Sequence, residues 1–98
     1  MLSSWVLIKM GKRGKLEIMR DILIIIRNHQ NKIKPTPLLR KSNLSFQRFS
    51  EYLKEMIKKE LVKETLEKGN KYISLREKGA RFIEKYKAII NFIDEFDL

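Results

Sequence analysis

Four residues, SNLS at positions 42–45, constrain this chain more than any other stretch. After them, Phe46, Phe49, Leu53 and Met56 recur on one side of a helix that runs to about residue 59. Before them, Thr36 followed by Pro37 reads as an N-cap with proline in the first helical position, starting a short helix over 37–41. Pro35 holds its neighbour Lys34 extended. Asn43 suits the left-handed conformation that ends a helix, with Leu44 tucked inward, and Ser45 caps the next helix. Two helices are thus joined by the three-residue turn 42–44. Once the apolar stripe of the second has docked on a core, Gln47, Arg48, Glu51 and Lys54 are left facing elsewhere.

The flanking segments supply that core. From 15 to about 28, apolar residues at 16, 18, 19, 22, 23, 25 and 26 form a broad helical stripe. Its centre, 22–26, also reads as a buried strand, but the length and the charges at Glu17, Arg20, Asp21 and Arg27 favour a largely buried helix. Glu17 and Asp21, with Arg20 beside them, read as ordinary surface. After Glu60 the helical period gives way to alternation. LVKETL and KYISL flank EKGN, where Gly69 and Asn70 supply the positive φ of a short hairpin loop and Lys68, Asn70 and Lys71 occupy the tip. A last helix, from about 77 to 96, has apolar residues at 82, 86, 89, 93 and 96, a heptad spacing widened by Ile83, Ile90 and Phe92.

Composition narrows the chemistry. Ninety-eight residues can bury one core but not two. The fold expected is therefore mainly α with a small β-hairpin (α+β): an extension over 1–12, a domain over 13–76 and a C-terminal helix over 77–98. Residues 1–76 hold 18 basic and 7 acidic side chains, whereas 77–98 hold 4 and 5, so the net charge of +10 sits in the first three quarters. Such a field attracts polyanions. No cysteine occurs, which removes disulfides, thiolate catalysis and Cys-ligated zinc. One histidine, His29, sits where the first helix ends and reads as structural or solvated. No metal, cofactor or enzymatic activity is expected, because neither a nucleophile with its base nor paired carboxylates in a cleft can be assembled.

The apolar patch 5–8 lacks the flanks of a signal peptide and the length of a membrane span, and Met10 is a candidate start. Gly11-Lys12-Arg13-Gly14-Lys15 has neither the spacing of a phosphate-binding loop nor a strand before it. It reads as a basic lead-in. The expected location is the cytoplasm, in association with the nucleoid.

Helix, helix, turn, helix, hairpin, helix in a small basic chain resembles the winged helix-turn-helix fold. NLSFQRFSEYLKEMIKKELV is similar to a segment of the small archaeal winged-helix regulators. That group includes the ArnR-like regulators and the basic, dimeric, chromatin-type proteins of the Sulfolobales. ISLREKG, 73–79, resembles the (Y)-x-L-T-x-K-G passage into the last helix, with Ile73 in place of Tyr and Arg76 in place of the capping Thr. The resemblance implies a homodimer on double-stranded DNA, with helix 45–59 in the major groove and hairpin 67–71 as the wing. Ser45, Phe46, Gln47, Arg48 and Glu51 become base-edge candidates, Phe46 beside a thymine methyl. Ser42, Lys54, Lys68, Asn70 and Lys71 become phosphate or minor-groove candidates, Arg76 adds a cation near the wing, and Lys32, Lys34, Arg40 and Lys41 extend the footprint. The final helix pairs with a second subunit through Phe82, Tyr86, Ile89, Ile90, Phe92, Ile93 and Phe96.

Each of these readings has a plainer competitor. The 47/48/51 face also reads as solvated helix surface, and the wing lysines as solubilising loop residues. Phe46, Phe49, Tyr52, Leu53 and Met56 read as core before they read as stacking platforms. The final heptad can fold back through Phe82, Ile83 and Tyr86, but a helix of about 20 residues is roughly 30 Å long and would overhang the domain. Two alternatives to a sequence-specific regulator stay open: a nonspecific architectural chromatin protein, and a winged-helix module that grips an acidic protein without binding DNA. A membrane-surface role is disfavoured, since the most amphipathic segment is the least basic.

Overall fold

The computed structural model describes residues 14–98, so the expectations for 1–12, including Met10 and the basic lead-in before Gly14, lie outside the described residues. The order of elements is α1 (Lys15–Asn28), α2 (Pro35–Ser42), α3 (Phe46–Lys58), β1 (Val62–Glu67), β2 (Asn70–Leu75) and α4 (Glu77–Glu95).

The central element is α1. Ile18, Met19, Ile22, Leu23 and Ile26 are all buried, at the spacing that keeps one helical face turned inward. Burying a side chain of this size contributes roughly 1.5–3 kcal/mol, so this face alone anchors the core. Leu38 from α2, Phe49 and Met56 from α3, Val62 and Ile73 from the hairpin, and Ile83 from α4 close around it.

α2 begins two residues earlier than the sequence suggests. Pro35 is itself the first helical residue, and Lys34, extended at φ −73° and ψ 152°, takes the N-cap position without a side-chain cap. Thr36 is therefore inside the helix. The first N–H groups of a helix have no intrahelical acceptor, so prolines at the first and third positions sacrifice no hydrogen bond. Asn43 ends α2 in the left-handed region at φ 59°, as expected, and Ser45 caps α3 by accepting a 3.2 Å hydrogen bond from the Arg48 N–H. α3 also ends through a left-handed residue, but one position later: Lys59 lies at φ −85°, Glu60 is left-handed at φ 62°, and the Leu61 N–H donates to the Met56 carbonyl.

In the hairpin, Glu67 pairs with Asn70 and the loop is only Lys68-Gly69. Both loop residues have positive φ, 51° and 80°, as the two-residue turn that matches strand twist demands. The expectation had placed that strain on Gly69 and Asn70. Asn70 is instead in the ladder, and Lys68 takes the left-handed conformation. One feature escaped the sequence reading altogether: Ile33 forms an isolated bridge to Ile73, with hydrogen bonds of 2.8 and 3.1 Å in the two directions. Asn31 adds to it, accepting the Leu75 N–H at 2.7 Å.

Candidate nucleic-acid interface

The turn between α2 and α3 fixes which face of α3 remains outside. Phe49 and Met56 are buried, and Tyr52, Leu53 and Ile57 pack partly against the same core. Gln47, Arg48, Glu51 and Lys54 are exposed on the other face. None of the three charged residues in that set forms an ion pair among the described residues; the Arg48 guanidinium lies 6.0 Å from the centre of the Tyr52 ring. Glu55 differs. Its carboxylate takes Lys15 at 2.8 Å and Lys59 at 2.9 Å, and those hydrogen bonds, Lys15 first, hold it below the usual carboxylate range. Glu55 is therefore already satisfied by lysines, whereas Glu51 on the face itself has no lysine or arginine partner among the described residues.

Two residues sit differently from expectation. Phe46 is 72% exposed, although its projection falls on the apolar stripe. It is the first residue of α3, and the core ends one turn further on; an angular pattern carries no information about where along the axis burial stops. Phe46 is thus not core, and its ring stands free beside Gln47 and Arg48. Ser42, expected to reach phosphate, is 2% exposed, and its hydroxyl donates to the Leu39 carbonyl at 2.7 Å. A buried hydroxyl engaged inside its own turn cannot form part of a surface, so Ser42 is removed from the interface.

Lys68, Asn70 and Lys71 are exposed at the end of the hairpin, and Lys71 lies 3.3 Å from Glu64 on the opposite strand. Lys32 reaches the hairpin from outside. Its ammonium pairs with Glu67 and sits 4.6 Å above the Tyr72 ring, and the hydrogen bond to Glu67 raises its pKa. It is therefore a brace on the hairpin and not a free cation. Lys34, Arg40, Lys41 and Arg76 are all exposed. Arg76 takes the N-cap position of α4 with no side-chain cap, as expected from the missing Thr, and its N–H donates to the Leu61 carbonyl at 2.9 Å.

α4 divides in two. Ile83 and Tyr86 are each 7% exposed and Phe82 packs partly on the core, so this half belongs to its own chain. Tyr86 is accordingly withdrawn from the exposed stripe. The Arg20 guanidinium covers its ring at 4.8 Å, and burial pushes its hydroxyl above the usual tyrosine range. Beside it, Glu17, Arg20 and Asp21 form a half-buried ionic cluster, with Arg20 2.9 Å from Asp21 and 3.5 Å from Glu17. That corrects the reading of Glu17 and Asp21 as ordinary surface; α4 lies across them. Further along α4, Ile89, Phe92 and Phe96 are 55–57% exposed, Ile90 and Ile93 are half-buried, and the Phe92 and Phe96 rings pack in a tilted pair with centroids 4.9 Å apart. A groove of about 330 Å³ runs beside them, walled by Leu16, Leu61, Phe82 and Ile89.

Sequence reasoning passed over Gly79 and Asn31. The only signal for Gly79 was its place in the ISLREKG passage. Two helices across a tight turn, a hairpin braced by one rung at Ile33, and a long final helix constitute a complete architecture, and the sequence pattern of the winged helix-turn-helix family matches residues 12–94. The chain belongs to that family. Within the winged helix-turn-helix, α2 and α3 are the helix-turn-helix pair and β1–β2 is the wing.

Solved structures agree. The chain is 25% identical to Sso10a-2, a DNA-binding protein from Sulfolobus solfataricus, with a TM-score of 0.70 over 86% of this chain and 85% of that one. It is 26% identical to F-93 of SSV1, with a TM-score of 0.63 over 82% and 88% of the two chains. AF1382 from Archaeoglobus fulgidus, at 24% identity and a TM-score of 0.65 over 88% and 94%, shares the fold. None of the curated proteins compared matches the chain. No described helix is long and apolar enough to cross a membrane.

Proposed function

We propose that this winged helix-turn-helix protein binds double-stranded DNA as a homodimeric transcription regulator, with α3 and its cap in the major groove and the hairpin tip on the flanking backbone or minor groove. The observation that carries the reading is the exposed face of α3. Its Gln47, Arg48, Glu51 and Lys54 are held by a capped helix on a buried stripe, yet the charged members of that face form no ion pair among the described residues. Gln suits adenine and Arg suits guanine, each through two hydrogen bonds to one base edge. Ser45 and Phe46 complete the base-facing set at the helix start, where recognition helices approach the groove most closely.

Lys54, Lys68, Asn70, Lys71, Lys34, Arg40, Lys41 and Arg76 are positioning contacts that neutralise phosphates and release counterions. The second chain docks on Ile89, Phe92 and Phe96, with Ile90, Ile93 and Phe82 beside them, because a patch this apolar on a strongly basic chain calls for cover. A two-fold dimer of the common kind would set its half-sites about 34 Å apart. The similar Sso10a-2 is a DNA-binding protein. The assignment carries no catalytic step, and it places the protein in the cytoplasm with the nucleoid.

A second reading, a nonspecific architectural protein, is favoured by the net charge of +10. Fluorescence anisotropy on a labelled duplex, titrated from about 50 to 200 mM salt against random duplex competitor, separates the two. A regulator retains a selected site against roughly a thousandfold competitor excess, while an architectural binder yields it in proportion. No binding even at low salt would overturn both and leave an acidic protein as the partner.

A further inference from the structure

Two large apolar side chains stand exposed on the elements assigned to DNA, Phe46 at 72% and Leu66 at 74%. Phe46 has a place in the proposed function. Leu66 has none. The register explains how it comes to be exposed: Val62 and Leu75, Glu64 and Ile73, and Leu66 and Lys71 are facing pairs, so all six share one face of the hairpin. Along that face Val62 and Ile73 are buried, the core ends, and Leu66 continues the same row beyond it. Lys71 lies directly across from it and Lys68 opens the loop two residues on. The free end of the wing thus sets an exposed apolar side chain beside two lysines, while Glu64, one pair further from the tip on the same face, holds Lys71 at 3.3 Å.

An apolar group beside lysines, one of which phosphate can draw from its exposed partner Glu64, suits a DNA minor groove at an A·T pair. Phosphates line both rims. The floor at A·T carries acceptors only, whereas a G·C pair adds the guanine amino group, a donor that an apolar side chain would bury without a partner. We propose that Leu66 enters the minor groove and makes the wing selective for A·T pairs, so that the protein prefers A·T-rich duplex independently of what α3 reads. The inference rests on the DNA-binding reading above and adds to it a specificity-determining residue. With Phe46 against a thymine methyl, the two grooves would then select the same pairs by separate contacts.

Base analogues separate the contacts. Diaminopurine in place of adenine adds an amino group to the minor groove alone, and deoxyuridine in place of thymine removes the methyl from the major groove alone. In anisotropy titrations the wild-type protein should bind a diaminopurine duplex at least about fivefold more weakly than the adenine duplex, the consequence of one buried donor left unpaired. Leu66→Ser should lose that difference while still responding to deoxyuridine. Phe46→Ala should show the reverse, losing a deoxyuridine effect of about fourfold per contacted methyl. Both side chains are largely exposed, so thermal unfolding should be unchanged in either variant. Equal affinity of the wild-type protein for adenine and diaminopurine duplexes overturns the role of Leu66 and leaves the DNA-binding reading standing. So does a diaminopurine effect that survives in Leu66→Ser. Failure to bind any duplex removes both together.

Discussion

Gly79 faces the Leu61 carbonyl so closely that a β-carbon at position 79 would stand 2.2 Å from the oxygen. The same oxygen accepts the Arg76 N–H, which fixes it in place. Alanine is the better helix former by about 1 kcal/mol, so on propensity alone Gly79→Ala should stabilise α4. The contact decides otherwise, since the atom in the way is backbone and cannot swing aside. We expect Gly79→Ala to lower stability by about 1–3 kcal/mol in urea unfolding, the usual scale of overpacking. A gain in stability would show that α4 does not approach the turn before β1 this closely.

Glu60 and Asn43 end their helices in the same left-handed conformation, at φ 62° and 59°. That conformation costs an ordinary L-residue about 1–2 kcal/mol, and Asn tolerates it better than Glu. Glu60→Gly should therefore raise the unfolding free energy by about 1 kcal/mol, while Asn43→Gly should change it little. Equal responses would mean that the two turns are not strained as their angles suggest.

Arg48 carries the sharpest claim about sequence reading. Its backbone N–H, not its side chain, serves the Ser45 cap, so Arg48→Ala should leave α3 intact. The variant should lose about 1–3 kcal/mol on a preferred duplex and little on a scrambled one. If anisotropy shows an equal loss on both, the side chain holds phosphate.

Lys71 keeps an exposed partner in Glu64, a pair of small worth that phosphate can displace. Replacing both Lys68 and Lys71 with alanine should reduce the slope of log affinity against log salt by up to about 2, at roughly 0.9 per phosphate contact. An unchanged slope would take the hairpin tip out of the footprint.

Ile89 and Phe92 are more than half exposed within one chain, so charging them should not unfold it. Sedimentation of Ile89→Glu combined with Phe92→Glu should report monomers, with the thermal transition of the isolated chain preserved. DNA affinity should fall as well, because two linked contacts bind more tightly than one. Dimers that persist would move the pairing surface elsewhere.

Much of this fold is legible because its signals are local. The α1 stripe, the Asn43 turn, the Ser45 cap and the alternation around Gly69 each depend on residues a few positions apart. What the sequence hides depends on distant pairs. Ile33 looks like one apolar residue in a loop until Ile73, forty positions later, is laid beside it. Gly79 is meaningful only against Leu61. Ser42 reads as a polar turn residue, yet it is the last residue of α2 and its hydroxyl is sequestered by the Leu39 carbonyl of that helix. Phe46 shows the limit of periodicity from the other side, since a stripe gives an angle and not a depth. At the interface the exposed positions on α3 could be read in advance, whereas the exposure of Leu66 could not, because alternation alone assigns it to the same face as buried Val62.

The rung at Ile33 and the Asn31 clasp on Leu75 also set how the hairpin behaves mechanically. A free two-stranded hairpin is at best marginally stable in water. Here the base of the hairpin is clamped to the segment between α1 and α2, and Lys32 from that same segment holds Glu67 beside the tip, so only Lys68 and Gly69 are carried by the strands alone. The hairpin is a propped cantilever, fixed at its root and strutted near its end. Such a beam presents Lys68 and Leu66 to a groove in a set position, and releasing the Lys32 strut would free the tip to follow the local width of that groove.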